Sequence, residues 1–211
     1  MVCIPNIKYF FISIRMVFKN IYGLSNLKRK SNIDSLYGKY SPNNLGLKNT
    51  KALDLGCGSY PKNLFLADSC FGVDLSENIS LGIKKADLIL EDIPFEANSI
   101  DYITAYDFLE HIPRIIYHPE RRLAFVNLMS SIWRTLKVNG VFLNVTPVYP
   151  FEPSFRDPTH VNHITIETFT LYFDDKNTWA KIYGFEGRFK ILEQCLMQNH
   201  LVTVLQKIAL K

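Results

Sequence analysis

Before Asp34 the sequence has no acidic residue, although Lys8, Arg15, Lys19, Lys28, Arg29 and Lys30 all fall there. The whole chain has 24 Lys and Arg against 20 Asp and Glu, a net charge of +4. Setting those six aside leaves 18 basic against 20 acidic residues, about −2, so the basic character belongs to an N-terminal arm. That excludes a broad nucleic-acid-binding face on the remainder, and no nucleic-acid partner is expected. Cysteine is scarce: Cys3, Cys57, Cys70 and Cys195 include no CxxC pair and no zinc-site spacing, and read as reduced thiols in a cytosolic protein. No run reaches the roughly 20 apolar residues of a membrane span. The apolar run Tyr9 to Ile14 is cut by Arg15, which argues against a signal peptide.

What is there fits a folded domain: 211 residues, 47% apolar and 21% charged, with 15 Phe and 11 Tyr for a core. The reading divides the chain into a basic amphipathic arm, residues 1–35, and a domain, residues 36–211. Residues 6–22 (NIKYFFISIRMVFKNIY) spread three basic side chains through aromatic and aliphatic ones. Such a segment can lie on an anionic membrane surface or pack against the domain, and both readings stay open. Residues 23–49 are polar and rich in turn signals, and read as a connector.

From Lys51 the pattern alternates. Short β-branched and apolar runs at 51–55, 70–75, 86–90, 100–106 and 141–146 read as strands. Helices are expected from Pro61 to about Asp68, near Phe108 to Ile112, and from about Glu120 to Leu136, the last ended by Asn139-Gly140. Residues 190–198 and 201–208 read as an antiparallel hairpin around Asn199-His200. The expected fold is therefore α/β: a Rossmann-like, seven-stranded, mostly parallel sheet with a C-terminal antiparallel hairpin and helices on both faces. In such sheets ligands bind at the carboxyl ends of the strands.

The most specific stretch is Ala52-Leu53-Asp54-Leu55-Gly56-Cys57-Gly58-Ser59. Glycines at 56 and 58 allow a sharp turn with backbone N–H groups open to an anion. A dinucleotide fingerprint would want a third glycine at 61, where Pro61 stands. Asp74, at the end of the second run, is placed to accept both hydroxyls of a ribose, with Leu75 beside it. Cys57 reads as a small packing residue of the turn and not as a nucleophile.

The segments LDLGCGSYP, FGVDLS, DIPFEANSIDYITAYDFLEHIP and LKVNGVFLNVTP, in this order between residues 52 and 147, resemble the class I S-adenosylmethionine-dependent methyltransferases of the small bacterial type. The resemblance implies S-adenosylmethionine as cofactor. It implies that Asp54, Gly56 and Gly58, with Cys57, hold its methionine part, and that Asp74 and Leu75 meet the ribose. Asp87 is nearest to the usual place beside the adenine, with Glu91 and Asp92 as alternatives. Asp107 would lie beside the sulfonium.

A hydroxyl acceptor needs a group that removes its proton. The run Phe155-Arg156-Asp157-Pro158-Thr159-His160-Val161-Asn162-His163 follows the fifth strand, where this fold places acceptor loops. It resembles a DPTH-type loop of bacterial surface-polysaccharide methyltransferases. His160 is the first candidate base, Asp157 the residue to orient it, and His163 the second candidate. Arg156 could bind an acidic group on the acceptor. His111 reads either as structural or as a base. Asp157, His160 and Asp107 or Glu110 could offer metal ligands, but no dense carboxylate cluster is visible and no metal is expected. The expectation is O-methylation of a sugar or other small polar hydroxyl compound. Its alternatives are a lipid-linked or membrane-associated acceptor reached through residues 6–22, and a non-catalytic cofactor-binding protein. Ala105-Tyr106-Asp107-Phe108 stands where an amino-group methyltransferase would carry an Asn-Pro-Pro-Tyr-type motif.

Overall fold

The computed structural model describes residues 22–210, so the arm reading of residues 6–21 lies outside the described residues. The strands are β1 (Lys28–Lys30), β2 (Lys51–Leu55), β3 (Ser69–Asp74), β4 (Ile83–Lys85), β5 (Ile100–Tyr106), β6 (Leu136–Pro147), β7 (Phe189–Met197) and β8 (His200–Lys207). They form one sheet in the order β1-β7-β8-β6-β5-β2-β3-β4. Every neighbouring pair is parallel except β6 with β8 and β7 with β8, so the expected terminal hairpin supplies the antiparallel edge. The order reverses direction between β2 and β5, and ligands bind at such a switch point.

Among the helices around the sheet are α1 (Asp34–Tyr40), α2 (Pro42–Leu45), α3 (Ala124–Thr135), α4 (Pro153–Arg156) and α5 (Ile166–Tyr172). Alternating side chains divide the core between the two faces. Val141, Leu143 and Val145 of β6, with Val202 and Val204 of β8, pack with Leu36, Tyr40, Phe65 and Tyr102 under α1. Leu53, Ile103 and Phe142 point the other way, onto Leu128, Met129 and Ile132 of α3 and Phe169 of α5. In α3 the apolar positions 125, 128, 129 and 132 recur at helical spacing, which makes one buried stripe.

Several local expectations need correction. Among the described residues there are eight strands where seven were expected. The eighth is β1, inside the stretch read as arm and connector, which also holds α1 and α2. β1 is three charged residues, KRK, with no alternating pattern; it pairs with β7 by backbone alone, and lysine suits a sheet edge. No helix follows Pro61. The Lys62 N–H is taken by the Asp54 carboxylate, and Asn63 closes a local turn through both Ala67 N and Ala67 O. Side-chain bonds of this kind compete with helix. The third strand of the reading lies at Ile83–Lys85, while residues 86–90 turn around Asp87, whose carbonyl accepts from Leu90 N and Glu91 N. Helix α3 begins at Ala124, not near Glu120, and ends at Thr135 with Leu136 as its cap. Asn139-Gly140 therefore does not end it: the pair sits in the register shift between Ile100↔Leu136 and Tyr102↔Val141. Near residue 110 only a short 3-10 turn forms, Leu109–His111.

Candidate active site

At the end of β2 the chain turns through Gly56 and Gly58, with φ of 65° and 60°. A Cβ at Gly56 would stand 2.3 Å from the Phe108 ring, whereas one at Gly58 would meet open space. Phe108 thus closes one side of the turn, and Gly56 to Tyr60 leave the other exposed, apart from buried Cys57. Asp54 is buried; its Oδ1 accepts from Thr104 Oγ1 at 2.6 Å and its Oδ2 from Lys62 N at 2.9 Å. Burial raises its pKa, and these bonds oppose the rise. Asp54 therefore shapes the turn from beneath. Cys57 lies under Gly72, and burial pushes its thiol up to about 11, which suits the packing role.

Asp74, at the end of β3, accepts from Gly58 N at 2.8 Å and from Leu75 N at 2.8 Å. It ties the glycine turn to the next strand and keeps its carboxylate half-exposed at the sheet edge. Asp87 follows β4, the neighbour of β3, and its Oδ1 accepts from Ile89 N at 3.0 Å. Leu75, Ile79 and Leu90 are exposed apolar side chains along the same two strand ends. A carboxylate flanked by uncovered apolar surface fits a ribose and an adenine ring, and the open space at Gly58 leaves room for the amino-acid end of the same molecule. The residues present therefore suit S-adenosylmethionine, and Asp87 stays the adenine-side candidate.

After β5, Asp107 adopts φ 49°, and its Oδ1 lies 3.0 Å from His200 Nε2 at the start of β8. The sequence reading took Asn199-His200 only for a hairpin turn and missed this pair. Two further groups lie nearby: Glu110, which the sequence offered only as an alternative metal ligand, and Asn162, which it left within the loop run. Glu110 is buried; its Oε2 accepts from Thr146 Oγ1 at 2.9 Å, its Oε1 has no partner among the described residues, and burial raises its pKa to about 7. Asn162 is also buried and donates to Leu109 O at 3.1 Å, while its Oδ1 accepts from Arg114 Nε at 2.9 Å. For Asn162 the sequence signal is a polar residue inside the run HVNH.

The loop after β6 closes where Val148 bridges Ile164. Glu110 O accepts from Val161 N and Asn162 N, which pins the loop beside β5. His160 Nδ1 is 3.0 Å from Pro153 O, and its ring meets His111 edge to face at 4.8 Å between centroids. Because a carbonyl can only accept, Nδ1 carries the proton and the neutral ring keeps a lone pair on Nε2. The expected orientation by Asp157 does not form: its Oδ2 stays 3.9 Å from His160 Nε2. Asp157 instead accepts from Thr159 N and Thr159 Oγ1, and Thr159 Oγ1 contacts His111 Nδ1 at 3.0 Å. Those bonds hold the Asp157 carboxyl below its usual pKa. His163 turns away to Ser154 O at 3.0 Å and packs on Phe155, and Arg156 pairs with Glu152 on the surface. The structure thus brings His160 to His111 and Glu110 and sets His163 against α4.

Residues 53–144 match the model of a family described as a methyltransferase domain. No curated protein matches the chain. Among solved structures, an S-adenosylmethionine-dependent methyltransferase from Archaeoglobus fulgidus is 17% identical, with a TM-score of 0.50 over 82% of this chain and 89% of that one. The [4+2]-cyclase SpnF is 12% identical, with a TM-score of 0.53 over 84% and 80%. A phosphoethanolamine N-methyltransferase of Haemonchus contortus, solved with phosphoethanolamine and S-adenosylhomocysteine, is 12% identical, with a TM-score of 0.50 over 86% of this chain and 46% of that one. At these identities the likeness establishes the fold, and a fold alone does not fix the reaction. Residues 53–144 thus match a methyltransferase-domain model, on a mostly parallel, Rossmann-like fold shared with these solved structures.

Proposed function

We propose that the chain transfers a methyl group to a hydroxyl of a sugar or another small polar acceptor. The observation that carries this reading is the polar group at the carboxyl ends of β5 and β6, where His160, His111 and Glu110 meet on the same edge of the sheet as the glycine turn. S-adenosylmethionine supplies an activated methyl group: the acceptor oxygen forms its bond to carbon while the sulfur leaves with the electron pair. Asp54 and Asp74 fix the turn and strand ends that hold the donor, and positioning is a large part of the catalytic effect. Asp107, with His200, borders the sulfonium end. The His160–His111–Glu110 cluster takes the acceptor's proton. Asp157 and Thr159 keep His111 in place, while His163 and Asn162 shape the loop. Free Cys57, Cys70 and Cys195 accord with a reducing, cytoplasmic setting.

One observation favours a second reading, an acceptor with an apolar part. A cavity of about 470 Å³ between α3 and α5 is lined by Leu123, Phe125, Leu171, Tyr172 and Trp179, with Arg114 on its wall. Arg114 also donates to His163 O at 2.7 Å, which links that cavity to the acceptor loop. No helix among the described residues is long and apolar enough to cross a membrane. A lipid-linked substrate would then require peripheral contact, for which residues 6–22 are the candidate. The deciding experiment is a screen with a labelled methyl donor against nucleotide sugars, oligosaccharides and lipid-linked glycans. Incorporation into none of them, with the cofactor bound, would favour a non-catalytic binding protein.

A further inference from the structure

We propose that Glu110, His111 and His160 form a binding site for one divalent transition-metal cation of the zinc type, which holds the acceptor hydroxyl in the reaction proposed above. One ligand atom from each of the three lies within 4.8 Å of the others. The set is two imidazoles and one carboxylate, a donor combination that suits zinc and its first-row neighbours and disfavours magnesium or calcium.

The surroundings of each group argue the same way. His160 uses Nδ1 on Pro153 O, and His111 uses Nδ1 on Thr159 Oγ1, whose own proton goes to Asp157. Both rings therefore keep Nε2 unprotonated. Metal-binding histidines are oriented in this manner, the other ring nitrogen donating to a carbonyl or to a chain that ends in a carboxylate. Glu110 uses Oε2 on Thr146, and its Oε1 is buried with no hydrogen-bond partner among the described residues. An unpartnered carboxylate oxygen in the interior costs free energy, and a cation beside it removes that cost. Tetrahedral ligands at about 2.0–2.2 Å from a metal stand about 3.5 Å apart, so the cluster would close by about 1 Å on binding. Residues 157–159 of the loop that carries His160 are exposed.

A cation held by the cluster would ionise an alcohol near neutral pH in place of proton capture by a free imidazole. An acceptor hydroxyl on the cation would release its proton to water, as metal-bound water does. Its oxygen would then bond to the methyl carbon as the sulfur–carbon bond breaks, with the electron pair leaving on sulfur.

This inference rests on the methyltransferase reading for its role, but its test does not. The full chain is stripped with a chelator and titrated with Zn2+ by calorimetry and with Co2+ by visible absorption, without donor or acceptor. One equivalent bound at micromolar affinity or tighter is expected, with the d–d spectrum of an ordered low-coordinate cobalt site. Glu110→Gln keeps the shape of the side chain and can still accept from Thr146; it and His160→Ala should each weaken binding at least 10–100-fold. His118→Ala, an exposed histidine outside the cluster, should not. Thermal melts of each variant separate lost ligands from lost fold, and the cobalt spectrum of the unaltered chain stands without them. No saturable binding, or binding that survives both Glu110→Gln and His160→Ala, overturns the site. S-adenosylmethionine affinity measured on the same stripped sample keeps the two ideas apart: intact donor binding without metal binding defeats only the metal site.

Discussion

Replacing Gly56 and Gly58 separately by alanine tests how the cofactor turn is built, because the two glycines differ in one respect. Both have positive φ, which costs a non-glycine residue about 1–2 kcal/mol. At Gly58 a new Cβ meets open space, so that cost stands alone. At Gly56 the Cβ would lie 2.3 Å from Phe108, and overpacking of this kind adds about 1–3 kcal/mol. For a chain of this size 1 kcal/mol is worth about 2–4 °C in Tm, so Gly56→Ala should melt about 3–10 °C below Gly58→Ala. Calorimetric melts of both proteins, without cofactor, give the comparison. In a Phe108→Ala background the two penalties should converge, since the ring that creates the difference is gone. Equal Tm losses for the single variants in the native background would refute the view that Phe108 is fixed against the turn.

Asp74→Ala should weaken S-adenosylmethionine binding about 10- to 100-fold, the worth of one or two hydrogen bonds to a charged group; wild-type affinity by titration calorimetry would remove Asp74 from the ribose site. His160→Ala should lower turnover about 10²–10⁴-fold on the true acceptor with cofactor affinity nearly unchanged, and full turnover would place the proton-accepting step elsewhere. Buried Lys207, held on Leu136 O and Asn98, has its pKa lowered to about 8, chiefly by desolvation and then by Arg134. The unfolded chain therefore binds the extra proton between pH 8 and about 10.4, and stability should rise across that window by at most about 3 kcal/mol. Denaturant melts at the two ends should show the rise in the wild type and a smaller one in Lys207→Met. A chain beginning at Ser35 loses β1 and the buried side chains of Leu24 and Ile33, and it should be less stable than one beginning at Tyr22. Sedimentation with anionic vesicles at low salt, with and without residues 1–21, checks membrane contact directly; no binding by the full chain would end that reading.

The sequence by itself determined the sheet and the glycine turn at its edge. The runs KALDL and IDYITAY are β2 and β5 residue for residue, and the terminal hairpin pairs as its two extended runs predict. Strands with apolar, β-branched patterns announce themselves because each buries side chains in a fixed alternation. Gly56, Gly58 and Asp74 were legible for a related reason: the turn demands particular residues at particular spacing, whatever surrounds it. Tertiary structure alone decided the remainder. β1 exists only because β7 presents an edge to pair with, and its three charged residues carry no pattern of their own. Pro61 promised a helix, but Asp54 and Asn63 took the N–H groups that would have started it. On the acceptor side the sequence put Asp157 three residues from His160, yet the imidazole is oriented by a carbonyl from α4, and Asp157 acts through Thr159 on His111. Glu110, 36 positions from Thr146 and 50 from His160, became part of the site only when the β6 strand and its loop folded back beside β5. Hydrogen bonds form between whichever groups the packed backbone brings within about 3 Å, and that distance is set by the fold and not by separation along the chain.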